Sequence, residues 1–489
     1  MEILEKLGKE RVIIFFLLAF LVGGFVVRLY RFNNPILDWH AWRQADTSAV
    51  SRNFVTMGFD LLHPRFDDLS NVPNSINLEN PHGYRFVEFP IYNVLQAKAF
   101  LWFGHFTLEE WGRLVSIFSA LLSAIFLYCI GKKYASGVVG LFAAFFYLFL
   151  PFNIYYTRVI LPDPLMVTTT LGALWFFSLW TEEKRMIKRW GFMVLTIVFA
   201  AAALLLKPFA IFFFLPMIVI AWNRWEWKFL LQAPLYGAFI FATLPLLWWR
   251  WWISHYPEGI PQSAWLFNEG NIRFTGAFFY WIFGRRIGEL ILGYVGAGIA
   301  SVGILFLKGK KALFFLSFLF ASLLYVSIVA RGNVQHGYYQ IPIVPSLALL
   351  MGLGSEIFIH PPKQFISRFV SYPLFVGLVL LTLSLSWYNV RNFFNINNPS
   401  LLVAGKAVDM LTPKNAKILA PLDGDTSFLY QTKRKGWASF EHSLPEMIKL
   451  GADYLVLANP NPKDYDIGKS YKIVSATNDY ILFNLHEKP

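Results

Sequence analysis

Residues 38–54 read Asp38-Trp-His40-Ala-Trp-Arg43-Gln44-Ala-Asp46-Thr-Ser-Ala-Val-Ser-Arg52-Asn-Phe54, placing carboxylate, imidazole and guanidinium groups just after a membrane-length apolar run. A positioned carboxylate can take a proton from a hydroxyl, and cations beside it can hold a departing anion. Together these suit displacement of a phosphate from a donor by an acceptor hydroxyl. Further acids stand at Glu88 and Asp163, and further cations at Arg85, Arg158, Lys207, Arg273, Arg285, Arg286 and Arg331. As an inventory this is suitable but unspecific; the elements that carry it decide its meaning.

The chain has 489 residues, 56% hydrophobic and 15% charged, with 50 Phe and 18 Trp. That is far too apolar for a soluble globular protein of this size. A net charge of +13 would suggest nucleic acid in a soluble chain, but here the basic residues cluster between apolar runs. The positive-inside rule explains that pattern, and nucleic acid is discarded. The single cysteine, Cys129, lies inside an apolar run and excludes an intrachain disulfide.

The apolar run 12–27 continues into Arg28 and Arg31 with no small-residue cleavage site, so it reads as an uncleaved first span. Ten more spans are expected at about 113–131, 136–152, 164–181, 191–206, 209–222, 229–249, 289–307, 312–330, 341–359 and 369–387. Basic clusters fall on every second connection: Lys6/Lys9/Arg11, Lys132/Lys133, Lys184/Arg185/Lys188/Arg189, Arg224/Lys228, Lys308/Lys310/Lys311 and Lys363/Arg368. Those connections are expected to face the cytoplasm. The alternate ones, including the long loop 32–112 and everything after about 388, then face outward from an inner membrane, with the N-terminus inside. The ionisable residues without a topological role gather on that outer face. This favours an interfacial enzyme over an ion-coupled carrier, which would need mid-membrane carboxylates, broken helices or an internal repeat.

Within loop 32–112, Asp46–Gly58 reads as a surface helix with Val50, Phe54 and Met57 on one side and Asp46 at its polar start. A second is expected from about Pro90 to Gly104. The stretch 59–87, with Asn-Val-Pro-Asn-Ser and Asn-Pro-His-Gly, reads as loop. Past Tyr388, residues 402–411 are helix-like, Ala416–Ala420 and Asp453–Ala458 read as buried strands, and Tyr471-Lys-Ile-Val with Tyr480-Ile-Leu-Phe reads as a hairpin. Two domains result: 1–387 in the membrane and a small α/β domain, 388–489, outside.

Five stretches taken in order carry a resemblance: Asp38 to Phe54, Phe86-Val-Glu-Phe-Pro-Ile91, Leu161-Pro-Asp-Pro164, Leu206-Lys-Pro208, and His336-Gly-Tyr-Tyr-Gln-Ile-Pro-Ile-Val-Pro345. Together they resemble the GT-C glycosyltransferases, and most of all the bacterial relatives of protein O-mannosyltransferases and lipid A aminoarabinose transferases, grouped with the Rgt-type galacturonosyltransferases. The likeness spans about residues 12–350, and Asp423-Gly-Asp425 with Arg434-Lys-Gly-Trp437 is similar to soluble domains of that group. It implies a polytopic α-helical GT-C domain with surface helices in the first outer loop and a small extracytoplasmic α/β domain. It also implies inverting transfer from a polyprenyl-phosphate sugar to a protein, lipid or glycan hydroxyl.

The resemblance further implies a catalytic carboxylate in the first outer loop. Many relatives begin the first surface helix with Asp-Glu, where this chain has Arg43-Gln44, so either Asp46 or Asp38 takes the place of the base. Glu88 matches the glutamate of a Phe-Glu-Lys-Pro-like motif, but Phe89 replaces its lysine, and Arg85 stands ready to substitute. Asp163 resembles a second acidic site. Lys207 is assigned to the donor phosphate, together with Arg43, Arg85, Arg158, Arg273, Arg285 and Arg286. Glu88, His336 and Tyr339 are assigned to positioning the acceptor or a metal. The sequence shows no dedicated metal motif and points to no particular cofactor, although it leaves room for a carboxylate-bound divalent cation.

Overall fold

The computed structural model describes residues 2–71, 78–362 and 366–489, so Val72–Ser75 of the loop motif and Lys363 of the last basic cluster lie outside the described residues. The chain divides into two compact units. The first comprises Met1–Tyr30, Leu114–Trp249 and Ser263–Asn392, and the second Arg31–Arg113, Arg250–Gln262 and Phe393–Pro489. The first long loop and the C-terminal residues therefore share a unit.

Among its described residues the first unit holds helices and no strand. Among the described residues, seven helices are long and apolar enough to cross a membrane, or eight if one sharply bent pair counts as a span. They begin with α1, Glu2–Arg28. The remaining expected spans at Gly137–Phe149, Asp163–Trp180 and Ala233–Ile253 are also helical. One expectation fails. The run 289–307 is no straight span, because helix Gly276–Ile291 and helix Gly296–Leu305 meet at 106°. Gly293 and Tyr294 between them have φ of 51° and 57°. That left-handed step cannot continue a helix. A Cβ on Gly293 would also lie 2.5 Å from the Thr382 carbonyl oxygen, so the bend is packed as well as turned.

Buried polar groups tie the helices of this unit together. Arg28, fully buried, donates through Nη1 to the Gly24 and Leu148 carbonyls at 2.8 and 2.9 Å, and through Nε to Thr157 Oγ1 at 2.9 Å. These bonds offset the cost of burying a guanidinium. The helix that ends at Tyr134 and helix Gly137–Phe149 cross at Gly131 and Gly140, where a Cβ on Gly131 would meet Gly140 Cα at 2.6 Å. Only paired glycines allow that approach.

The second unit holds two helices from the long loop. α2 spans Ala41–Met57 and α3 spans Ile91–Phe103. α3 begins after Pro90 and ends at Gly104, whose φ of 72° stops it, as expected. α2 does not match its expected start. It begins five residues before Asp46, after His40, which sits in the left-handed region at φ 56° with no side-chain cap.

A five-stranded sheet forms the rest of this unit: β1 Ile418–Leu419, β2 Gly436–Trp437, β3 Tyr454–Ala458, β4 Lys472–Ala476 and β5 Tyr480–Asn484, in the order β2-β1-β3-β5-β4. β1 runs parallel to β2 and β3, and the β4–β5 hairpin is antiparallel. One face packs on helix Ser400–Leu411 through Leu401, Ala404 and Val408, and the other on Met447 and Leu69. The 65–70 segment of the long loop extends the β2 edge, with Leu69 N donating to Gly436 O at 2.7 Å and Gly436 N to Asp67 O at 3.0 Å. An otherwise open edge is thereby covered.

Candidate active site

In the second unit, α2 lies against the 85–88 segment through two ion pairs of opposite sense. Arg43 pairs with Glu88, and Arg85 Nη2 lies 2.5 Å from Asp46 Oδ2. Residues three apart share a helix face, so the cation and acid of α2 meet an acid and a cation in reverse order. All four residues are largely buried. Gln44 turns to Asp38, donating from Nε2 to Oδ1 at 2.6 Å. Arg43 and Gln44 thus each bind a carboxylate.

Asp46 lies within α2, not at its first turn, and does not cap it. Direct bonds orient it instead. Oδ2 takes Arg85, and Oδ1 accepts from Thr426 Oγ1 at 2.7 Å. Two further acids stand near. Burial pushes the Asp68 carboxyl up to about 6, with the Asp46 charge adding to the rise and bonds from Ser70 and the Ala438 backbone opposing it. Burial also raises Asp425, against its bonds to Ser427, and Asp46 again adds. Arg52 pairs with Asp67 and lies 4.0 Å from the centre of the Tyr430 ring. The Tyr430 hydroxyl donates to Glu109, while Ser48 Oγ lies 2.9 Å from it. Burial first, and then the Glu109 charge, hold that phenol protonated well above its ordinary range.

In the first unit, Lys207 Nζ lies 2.7 Å from Asp163 Oδ1. Both residues are buried, so the lysine does not snorkel to an interface as a lone charge would. Asp163 is the first residue of its helix, after Pro162. Its Oδ2 is buried without a hydrogen-bond partner. The ammonium also lies 5.2 and 5.1 Å from the Tyr338 and Tyr339 ring centres, and His336 stacks on Tyr338 at 5.4 Å. The pair therefore sits under an aromatic wall that lowers the local dielectric and strengthens its field.

The remaining arginines divide by partner. Arg285 pairs with Glu289. Arg158 donates to the Tyr30 carbonyl at 2.8 Å, Arg273 to Ile328 at 3.1 Å and Arg286 to Val334 at 3.2 Å. Backbone carbonyls do not neutralise a guanidinium, so Arg273 and Arg286 keep their positive charge toward their surroundings.

Thr426, Tyr430, Asp68 and the bond from Gln44 to Asp38 escaped the sequence reading. One signal was available. Thr426 follows the buried strand Ala416–Ala420 in a polar loop, and α/β sheets carry their functional loops at the carboxyl ends of parallel strands. No dedicated metal site fits: among the described residues no three His, Cys, Asp or Glu side chains gather to hold an ion.

A helical integral membrane protein that carries a small sheet domain and buried acid–cation pairs defines the class. Within that class the fold is shared with solved structures of ArnT and AglB. It is similar to ArnT from Cupriavidus metallidurans bound to undecaprenyl phosphate, with a TM-score of 0.64 and 16% identity over 95% of this chain and 97% of that one. Apo ArnT matches at 0.65 and 15%, over 97% and 98%. The archaeal oligosaccharyltransferase AglB from Archaeoglobus fulgidus, in complex with an inhibitory peptide and a dolichol-phosphate, matches at 0.54 and 11%, over 92% and 70%. A family model described as dolichyl-phosphate-mannose-protein mannosyltransferase matches residues 90–251. No curated protein sequence matches. The likeness read from the five motifs is borne out at the level of fold.

Proposed function

We propose that this chain is an inverting glycosyltransferase that moves a sugar from a polyprenyl-phosphate donor to a hydroxyl of a protein, lipid or glycan at the outer face of the inner membrane. The observation that carries this reading is the reciprocal pairing of Arg43 with Glu88 and Asp46 with Arg85, which keeps acids and cations buried and fixed on one loop. In a single displacement the acceptor oxygen attacks the anomeric carbon as its bond to phosphate breaks. Asp46, or Asp38 held by Gln44, takes the acceptor proton, and the polyprenyl phosphate leaves with the electron pair. Lys207, Arg273 and Arg286 are assigned to the phosphate charge.

A cavity of about 450 Å³ supports a lipid donor. It lies in the first unit and is lined by apolar side chains, among them Ala200, Leu204, Phe212, Met217, Phe239 and Ala242. A polyprenyl chain needs a wall of this kind. ArnT has been solved bound to undecaprenyl phosphate and AglB with a dolichol-phosphate. Residues 1–387 are assigned to the membrane catalytic domain, with the N-terminus inside, and 388–489 to an extracytoplasmic domain.

The test is to incubate purified protein with a panel of polyprenyl-phosphate sugars and membrane acceptors, then repeat with Asp46→Asn and Asp38→Asn. A new glycosidic bond, lost in one of the two folded variants, is the expected outcome. Donor moved across a vesicle with no bond formed would make the chain a transporter of lipid-linked saccharides. Inert donors throughout would leave a scaffold. Protease access to the C-terminal domain from the cytoplasmic side would overturn the sidedness.

A further inference from the structure

Thr426 and Asp46 are 380 residues apart in sequence, and the threonine hydroxyl is 2.7 Å from Asp46 Oδ1. The same hydroxyl lies 3.2 Å from the Trp42 carbonyl oxygen. A hydroxyl has one proton to give, and the nearer, charged acceptor takes it. The other Asp46 oxygen is held by Arg85 Nη2 at 2.5 Å. One donor on each oxygen fixes the plane of the carboxylate, so the lone pairs that remain have set directions.

We infer that Thr426 is a positioning residue for the Asp46 carboxylate, so that the C-terminal sheet domain takes part in the transfer reaction; this rests on the glycosyltransferase reading above. The loop that carries Thr426 leaves β1 and enters helix Ser427–Thr432. That helix is attached to α2 at two levels: Thr426 bonds Asp46, and one turn on Tyr430 bonds Ser48. The Tyr430 ring is in turn covered by Arg52, and its hydroxyl is shared with Glu109. The threonine is therefore held from its own side, with its β-branch restricting rotation about χ1. Its partner carboxylate is paired with Arg85 on the other side. A base acts only within reach and direction of the proton it removes.

The experiment compares Thr426→Val, Thr426→Ser and wild type, alone and in an Asp46→Asn background, in the transfer assay and in thermal unfolding. Valine keeps the branch and removes the donor, so kcat is expected to fall roughly 10- to 100-fold, as for loss of one hydrogen bond to a charged group. KM for donor and acceptor should stay within about twofold, because the interaction acts on the reacting step and not on binding. Serine should recover most of kcat, and in the Asp46→Asn background valine should add nothing. Wild-type kcat in Thr426→Val overturns the inference, as does a loss that persists in full when Asp46 is already Asn. So does a fall in unfolding temperature that serine repairs without repairing kcat. If wild type itself makes no glycosidic bond with any donor, the transferase reading falls and takes the positioning role with it, which the wild-type arm alone reveals.

Discussion

The Lys207 ammonium and the Asp163 carboxylate form a buried pair at 2.7 Å, drawn from the end of one helix and the start of another in the same unit. Removing one member of such a pair leaves an uncompensated charge, at a cost of about 3–5 kcal/mol. Lys207→Met should therefore lower the unfolding temperature in detergent markedly. Adding Asp163→Asn should recover most of that loss, because the stranded charge is gone. Transfer should stay absent in both, since the cation assigned to the phosphate is missing. Full activity in the double variant would remove Lys207 from the donor site.

Arg43 and Glu88 permit a test that separates folding from chemistry. Arg43→Glu places two acids together, and Glu88→Arg places two cations together, so each single variant should unfold at a lower temperature. The double variant restores an ion pair in reversed sense and should recover stability. If Arg43 contacts the donor phosphate, the reversed pair should fold well and still lose at least about tenfold in kcat/KM, or roughly 1.4 kcal/mol. Recovery of activity along with stability would make the pair purely structural.

The same residues show what could be read from the sequence and what could not. Apolar length gave the helices, and short β-branched runs gave β1, β3 and the β4–β5 hairpin, because these signals are local. β2 has only two residues, Gly436 and Trp437, and its strand character comes from pairing with Ile418 and Leu419. The start of α2 escaped because no capping residue marks it. His40 turns the chain with a left-handed backbone, and contacts of Arg43 and Gln44 hold the first turn. The acids and cations of the long loop were legible by type and order. Their partners were not, since Thr426 reaches Asp46 only after the sheet domain has folded.

Asp68 gives a stability test with a defined sign. Its folded-state value near 6 lies above the ordinary 3.8, because burial disfavours the charged form. The folded state therefore binds the proton more tightly than the unfolded chain, and this group's contribution falls as pH rises from about 4 to about 6. Above that window the buried charge opposes folding by up to roughly 3 kcal/mol. Asp68→Asn keeps the acceptor for Ser70 and removes the charge. It should raise the unfolding temperature at pH 7.5 and have little effect at pH 4. Equal effects at both values would show that Asp68 does not titrate in this window.

Ala242 offers a direct test of the lipid reading, since it lines the apolar cavity and is buried against Ala173 and Ala200. Ala242→Phe would project a ring into that space and leave the ionisable residues untouched. If the cavity takes the polyprenyl chain, a donor with a long tail loses the burial of several methylene-sized groups, each worth about 0.8 kcal/mol. Its KM should rise roughly tenfold or more while kcat holds, the pattern expected when an interaction is equal in ground and transition states. A water-soluble donor with a tail of one or two isoprene units has little to bury there, so its KM should change far less. If both donors weaken alike, the substitution has disturbed the helices and the chain runs elsewhere. If neither weakens, the cavity does not hold the donor.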